Sequence, residues 1–87
     1  MGKLNSRQRA TLEDIFSRPT KPNIRWSDVR NLLLALGVEV SQGRGSRVRL
    51  HYAGVALVLH RPHPKPEMVK GAVEDLREFL SIVKLGP

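Results

Sequence analysis

Hydrophobic and polar residues alternate through the middle of the chain, and this pattern predicts a β-hairpin. Residues 47–52 and 55–60 both alternate, and Ala53-Gly54 between them can form a two-residue turn. This register pairs Arg47 with His60 and makes one face apolar. The apolar face contains Val48, Leu50, Tyr52, Val55, Leu57 and Leu59. The opposite face contains Arg47, Arg49, His51, Ala56, Val58 and His60.

Apolar residues three or four positions apart predict helices on both sides of the hairpin. The first helix covers residues 6–17, with Ser6 as its N-cap. The second follows Ser27, which provides a good helix entry, and ends at Gly37. We expect Trp26, just before this entry, to be a core anchor rather than a platform for a ligand.

The third helix begins between Glu67 and Lys70 and ends near Val83. Residues 38–40 alternate and predict a short strand, and residues 41–46 predict a polar loop. The predicted fold is therefore α+β: an extra N-terminal helix followed by the order α-β-β-β-α. The three-stranded antiparallel sheet has its two flanking helices on one face, which leaves the basic face open.

The chain has 87 residues, a length that predicts a single domain covering residues 1–87. It has no cysteine, which excludes a disulfide framework and thiolate chemistry. We find no signal peptide and no apolar run of membrane length, so we expect a cytoplasmic protein without a membrane partner.

The positive charge is concentrated on the hairpin and the loop that follows it. The whole chain has a formal net charge of +7, and residues 43–70 alone carry six Lys or Arg against one acidic residue, Glu67. A clustered basic patch is the electrostatic signature of a nucleic-acid-binding surface. An acidic protein partner is the competing interpretation.

The candidate catalytic residues are His60 first and His51 second, because histidine can transfer protons near neutral pH. Arg47, Arg49 and Lys65 could hold a phosphate beside them. The same groups could hold RNA without cleaving it, and both interpretations stay open. His63 lies between two prolines, where its ring could bond to a backbone carbonyl and fix the loop. We expect no metal site and no cofactor, since the histidines have only Glu67 as a nearby acid.

Short motifs in this region resemble those of a known family, the HicA toxins of bacterial toxin–antitoxin systems. The resemblance covers roughly residues 26–84, with residues 1–25 as an additional helical extension and connector. The matching motifs are Gly45-Ser46 at the start of the second strand, Pro62-x-Pro64 around His63 and before Lys65, and Lys70-Gly71-Ala72-Val73 at the start of the last helix.

This resemblance implies a double-stranded-RNA-binding-like fold and a small endoribonuclease (an mRNA interferase). It also implies that a HicB-like antitoxin protein neutralises the toxin by covering the basic face. The candidate RNA-binding residues are Arg44, Ser46, Arg47, Arg49, Arg61, His63, Lys65 and Lys70.

The family motif places its catalytic histidine directly after the Gly-Ser pair, and this chain has Arg47 there. Arginine remains protonated and cannot act as a general base. Three interpretations remain open. Another histidine, His60 or His51, has taken the role, or Arg47 acts only by its charge, or the domain is a non-catalytic RNA-binding module.

Overall fold

The computed structural model describes residues 3–87, and its helices and strands follow the predicted order. They are α1 (Ser6–Ile15), α2 (Trp26–Ala35), β1 (Glu39–Gln42), β2 (Arg47–Tyr52), β3 (Val55–His60) and α3 (Lys70–Ile82). The strands form one antiparallel sheet in the order β1-β2-β3, which confirms the α+β prediction. Met1 and Gly2, with which the predicted extension 1–25 begins, lie outside the described residues. No helix between residues 3 and 87 is long and apolar enough to cross a membrane.

The hairpin of β2 and β3 has the predicted register. Arg47 pairs with His60, and at the other end Tyr52 pairs with Val55. The turn residues Ala53 and Gly54 have φ angles of 52° and 80°. Two positive φ angles are characteristic of a type I′ turn, whose twist matches that of the flanking strands. This turn fixes which side chains of the hairpin face the core.

The start of α1 differs from the prediction because Asn5, not Ser6, is the N-cap. The Asn5 side chain accepts a 2.7 Å hydrogen bond from the Gln8 N–H, and the Gln8 side chain accepts a 3.0 Å bond from the Asn5 N–H. This reciprocal pair is a capping box, which satisfies two donors at the helix start. The helix also ends at Ile15, two residues before the predicted end.

The start of α2 also differs, since the helix begins at Trp26 rather than after Ser27. The backbone before α2 pairs with the backbone before α3: the Trp26 N–H donates to the Pro66 carbonyl at 3.0 Å, and the Met68 N–H donates to the Ile24 carbonyl at 2.8 Å. The first of these bonds satisfies one N–H at the start of α2, where no side chain caps the helix.

The first strand covers Glu39–Gln42 instead of residues 38–40. Val38 is buried before the strand, whereas Ser41 and Gln42, predicted as loop, pair with Arg49 and Val48. Polar residues can occupy this strand because it lies at the sheet edge and pairs with β2 through backbone groups. The loop between β1 and β2 is correspondingly shorter than predicted.

The core lies between the apolar face of the sheet and the helices. Helix α2 packs on β1 and α3 packs on β3, as expected for helices that cover one face. Helix α1 packs on both other helices and adds two side chains to the same core. Fully burying one such side chain stabilises the fold by about 1.5–3 kcal/mol. Core members from successive elements include Leu12, Ile15, Leu32, Leu33, Val48, Leu50, Leu59, Val73, Leu76 and Leu80.

Two arginines fasten the N-terminal segment to the rest of the fold. The Arg77 Nε donates to the Ile15 carbonyl at 2.8 Å, and Arg77 Nη2 donates to Thr20 Oγ1 at 2.9 Å. Arg7 forms a two-pronged pair with Asp28, whose nearer carboxylate oxygen is 2.8 Å from Arg7 Nε. The hydrogen bond and the charge of Asp28 raise the pKa of the Arg7 guanidinium.

Candidate nucleic-acid interface

The face of the sheet opposite the core is exposed and carries two arginines, two histidines and one carboxylate. The hairpin contributes the six predicted residues, all of them exposed, and β1 contributes Glu39 and Ser41. Glu39 pairs with His51 and Ser41 pairs with Arg49, so both point to this side of the sheet. We call this surface the open face. It consists of Glu39, Ser41, Arg47, Arg49, His51, Ala56, Val58 and His60.

At one end of the open face, Ser46, Arg47 and His60 lie together. Arg47 and His60 are direct partners across β2 and β3. Ser46 Oγ lies 3.3 Å from His60 Nδ1, and the Ser46 carbonyl accepts a 2.7 Å hydrogen bond from the Arg61 N–H. This backbone bond lies just beyond the last strand pair and holds Ser46 beside the histidine.

The loop 43–46 determines how β2 begins. The Gly43 N–H donates to the Arg47 carbonyl at 2.8 Å, and the Arg47 N–H donates to the Arg44 carbonyl at 3.1 Å. Gly45 has a φ of 61°, a left-handed conformation that favours glycine. Apart from its two chain neighbours, no described residue has an atom within 4 Å of the position that a Cβ of Gly45 would occupy, so the requirement for glycine is conformational. The loop thereby presents the exposed Arg44 beside the start of β2.

The contact with Ser46 leaves the outer ring nitrogen of His60, Nε2, available to a ligand. When the Nδ1–H of the neutral ring donates to Ser46 Oγ, Nε2 carries a lone pair and can accept a proton. The guanidinium of Arg47 on the neighbouring strand can bind a phosphate oxygen. In that tautomer, a ring nitrogen that can accept a proton and a permanently charged arginine belong to directly paired residues.

The opposite end of the open face contains His51 and Glu39. His51 Nδ1 lies 3.0 Å from Glu39 Oε1, and about half of the His51 side chain and most of the Glu39 side chain are solvent-exposed. His51 follows Arg47 by four positions on the same strand, a separation of about 13 Å at the usual rise per residue. The two candidate histidines therefore cannot contact the same phosphodiester group.

The other predicted RNA-binding residues fall into two groups. Arg61 and His63 line a recess of about 400 Å³ together with Ser46, next to His60. Lys65 and Lys70 are exposed in the following loop and at the first residue of α3, and neither borders this recess.

The expected bond between the His63 ring and a backbone carbonyl is absent: within residues 3–87 the His63 side chain makes no hydrogen bond. That part of the prediction is wrong because the ring is exposed and borders the recess. It is therefore accessible to a ligand.

Sequence reasoning missed two residues of this region. Trp26 packs against the core but is only partly buried, and it borders the same recess as Ser46 and Arg61. Glu39 was predicted to lie in a strand, but no contact of its side chain was predicted. The signal for Trp26 was the basic connector that precedes it in the sequence, which contains Arg18, Lys21 and Arg25. Finding Glu39 required the register of β1.

The part of the chain between residues 3 and 87 brings no three His, Asp or Glu side chains close enough to hold a metal ion. The ionisable groups at the His60 end are arginines and the two histidines His60 and His63. The chemistry available from these side chains is proton transfer and electrostatic stabilisation of phosphate.

Comparison with known proteins identifies the family. Residues 26–80 match the family model for the HicA toxin of bacterial toxin–antitoxin systems. No curated protein and no solved structure matches the chain. The matched stretch is 55 of the 87 residues and contains α2, the whole sheet and most of α3. It also contains the Gly-Ser pair, the proline-flanked histidine and the start of the last helix. The chain belongs to the HicA family of toxins of bacterial toxin–antitoxin systems.

Proposed function

We propose that this toxin is an endoribonuclease that cleaves messenger RNA without a metal ion and is neutralised by a HicB-like antitoxin. The observation that supports cleavage is the contact between His60 and Ser46 directly opposite Arg47 on an exposed cationic surface. This arrangement supplies a proton acceptor and a phosphate-binding cation at one point. An RNA target also means that the toxin acts in the cytoplasm.

In the proposed reaction, His60 Nε2 takes the proton from a ribose 2′-hydroxyl. The 2′-oxygen then forms a bond to the adjacent phosphorus, and the bond from phosphorus to the 5′-oxygen of the next nucleotide breaks. The leaving 5′-oxygen receives a proton from water, and the hydroxide that remains takes the proton from His60. The products are a 2′,3′-cyclic phosphate and a 5′-hydroxyl. Arg47 offsets the negative charge that develops on the phosphate oxygens. Ser46 fixes the histidine ring in the required orientation.

The flanking cations would hold the RNA backbone on either side of the cleaved bond. Arg49 continues along the open face, and Arg44 extends from the adjoining loop. Each phosphate contact releases counterions, so affinity should fall steeply as salt increases. The residues proposed to bind RNA are Arg44, Ser46, Arg47, Arg49, Arg61, His63, Lys65 and Lys70.

The proposed functional core is residues 26–84, in a double-stranded-RNA-binding-like arrangement with α2 and α3 behind the sheet. Residues 1–25 are proposed to be an extension that stabilises this core through α1 and the Arg77 bonds. The antitoxin would cover the open face, which offers exposed cations to an acidic protein surface.

A second candidate function is RNA binding without cleavage. It is favoured by Arg47, which occupies the position of the family's catalytic histidine and cannot accept a proton. Such a toxin would block its RNA rather than destroy it. The basic open face would serve both functions equally.

The test uses the purified full chain and end-labelled single-stranded RNA in the presence of a chelator. We expect cleavage with 2′,3′-cyclic phosphate ends, and growth arrest when the toxin is expressed without an antitoxin. Intact RNA that remains bound would support the second candidate, and cleavage by Arg47→His would then show that only the histidine is missing. If no RNA binds at physiological salt, both candidates are wrong.

A further inference from the structure

Two recesses meet at Trp26, the first residue of α2. One has a volume of about 400 Å³ and is lined by Trp26, Ser46 and Arg61 among others. The second, of about 320 Å³, is lined by Trp26, Arg30 and Arg61 among others. Both volumes fall at the lower end of the range of small-ligand sites. Trp26 and Arg61 therefore form a shared wall between two spaces.

The position of Trp26 is fixed by its backbone and by the core behind it. Its N–H donates to the Pro66 carbonyl at 3.0 Å, which ties the helix start to the loop before α3. Its side chain packs against the core but remains partly accessible. A ring that packs against the core and is still partly accessible loses little conformational entropy when a ligand stacks on it.

Cationic side chains flank this ring. Arg30 follows Trp26 by four residues on α2 and so lies on the same side of the helix. Arg61 follows the last residue of β3. Both arginines are exposed, and neither forms a salt bridge with a carboxylate in the described part of the chain. A ligand that matches this site has a flat π surface and a negative charge.

We propose that Trp26 is a stacking platform for one unpaired base of the RNA, with Arg61 and Arg30 binding the phosphates beside that base. Ser46 connects this site to the reaction centre, because it lines the recess at Trp26 and contacts His60. The stacked nucleotide is thus a near neighbour of the cleaved bond. The proposal rests on the RNA-directed function above and narrows the substrate to single strands, since duplex bases stack on each other and offer no free face.

Trp26 is the only tryptophan of the chain, so its fluorescence reports on this site alone. The probe is an eight-nucleotide oligoadenylate with 2′-O-methyl riboses, which cannot be cleaved because the attacking hydroxyl is blocked. An abasic octamer with the same backbone charge is the control ligand. We expect the oligoadenylate to quench Trp26 emission and the abasic octamer to bind with little quenching. Equal quenching by both, or by an oligoglutamate peptide, would overturn the proposal.

Variants provide an independent measurement of the same contact. Trp26→Leu should weaken binding of the oligoadenylate about tenfold, within the range for one base stacked on an aromatic side chain, and should leave binding of the abasic octamer unchanged. Trp26→Phe should retain most of the affinity. The matched control is Tyr52→Leu, which alters a partly buried aromatic residue at the far end of the hairpin and should not change binding. Equal losses for both octamers in Trp26→Leu would contradict stacking.

The outcomes separate this proposal from the function on which it rests. Binding of the oligoadenylate without quenching overturns the stacking site and leaves RNA binding intact. Absence of binding by either octamer overturns both the stacking site and the RNA-directed function. Quenching together with intact ribose RNA supports the stacking site and contradicts only cleavage.

Discussion

The two ends of the open face carry the same kind of residue in different surroundings. His60 faces Arg47 across the hairpin and contacts the hydroxyl of Ser46. His51 lies on the same side of the same hairpin but pairs with the carboxylate of Glu39. At the first end a phosphate would meet cations and a neutral oxygen, whereas at the second it would meet a negative charge.

This difference indicates that the neighbours of a histidine, more than its exposure, determine what it can bind. A carboxylate at 3.0 Å occupies one ring nitrogen of His51 and repels an approaching phosphate. The hydroxyl beside His60 orients the ring without adding charge. We therefore propose that His60, rather than His51, transfers the proton, and three changes test that proposal.

The largest expected effect is the loss of RNA cleavage in the His60→Ala variant. Removing a general base typically costs a factor of about 10²–10⁴ in rate. We expect at least a hundredfold loss of single-turnover RNA cleavage for His60→Ala and less than a threefold loss for His51→Ala. Binding of the 2′-O-methyl octamer should change little in either variant, because neither histidine is among the residues proposed to bind RNA.

Comparing His60→Ala with His51→Ala can contradict the proposed roles of the two histidines in either direction. Both residues are exposed on strands, so neither substitution should unfold the protein. Retained cleavage in His60→Ala with loss in His51→Ala would reverse the assignment. Equal partial losses would contradict the proposal that His60 alone transfers the proton.

The next largest effect is on RNA affinity, through Arg47→Gln. A hydrogen bond to a charged group is typically worth about 1.5–3 kcal/mol, so loss of one phosphate contact should weaken binding about tenfold or more at low salt. The slope of log affinity against log salt should decrease by about 0.7 for a single strand. The measurement is a salt titration with the 2′-O-methyl octamer.

The control for this variant is Arg9→Gln, which removes an exposed arginine from α1 and leaves the open face intact. Its net charge change is identical, so a long-range effect of total charge would appear in both variants. Equal changes in slope would mean that Arg47 contacts no phosphate and that only the overall charge attracts RNA.

The part of the site that lies within the hairpin could be predicted from the sequence. A two-residue turn fixes the register, and alternation then assigns Arg47 and His60 to one face. The apolar residues of this hairpin could go to only one side, and together with the helical spacing of apolar residues before and after it this gave the fold class. Local geometry of this kind needs no knowledge of the rest of the chain.

Contacts that depend on separate elements could not be predicted in this way. Glu39 meets His51 because the loop 43–46 sets the register of β1, and the polar residues of that strand carry little register information. Trp26 borders the recess because the backbone before α2 pairs with the loop before α3, which is about 40 residues away in sequence. The sequence did not distinguish Asn5 from Ser6 as the N-cap of α1, because both residue types are preferred at that position.

The smallest expected effect is that of Glu39→Gln, which removes the carboxylate at the His51 end of the open face. The pair with His51 is exposed, so its removal should change the free energy of unfolding by less than about 1 kcal/mol. Loss of one negative charge beside the cations should strengthen octamer binding about twofold to threefold at low salt, and screening should remove most of this gain at physiological salt. Cleavage at saturating RNA should stay the same. A large rise in cleavage that His51→Ala then abolishes would show that Glu39 restrains a catalytic His51, and the two ends would have exchanged roles.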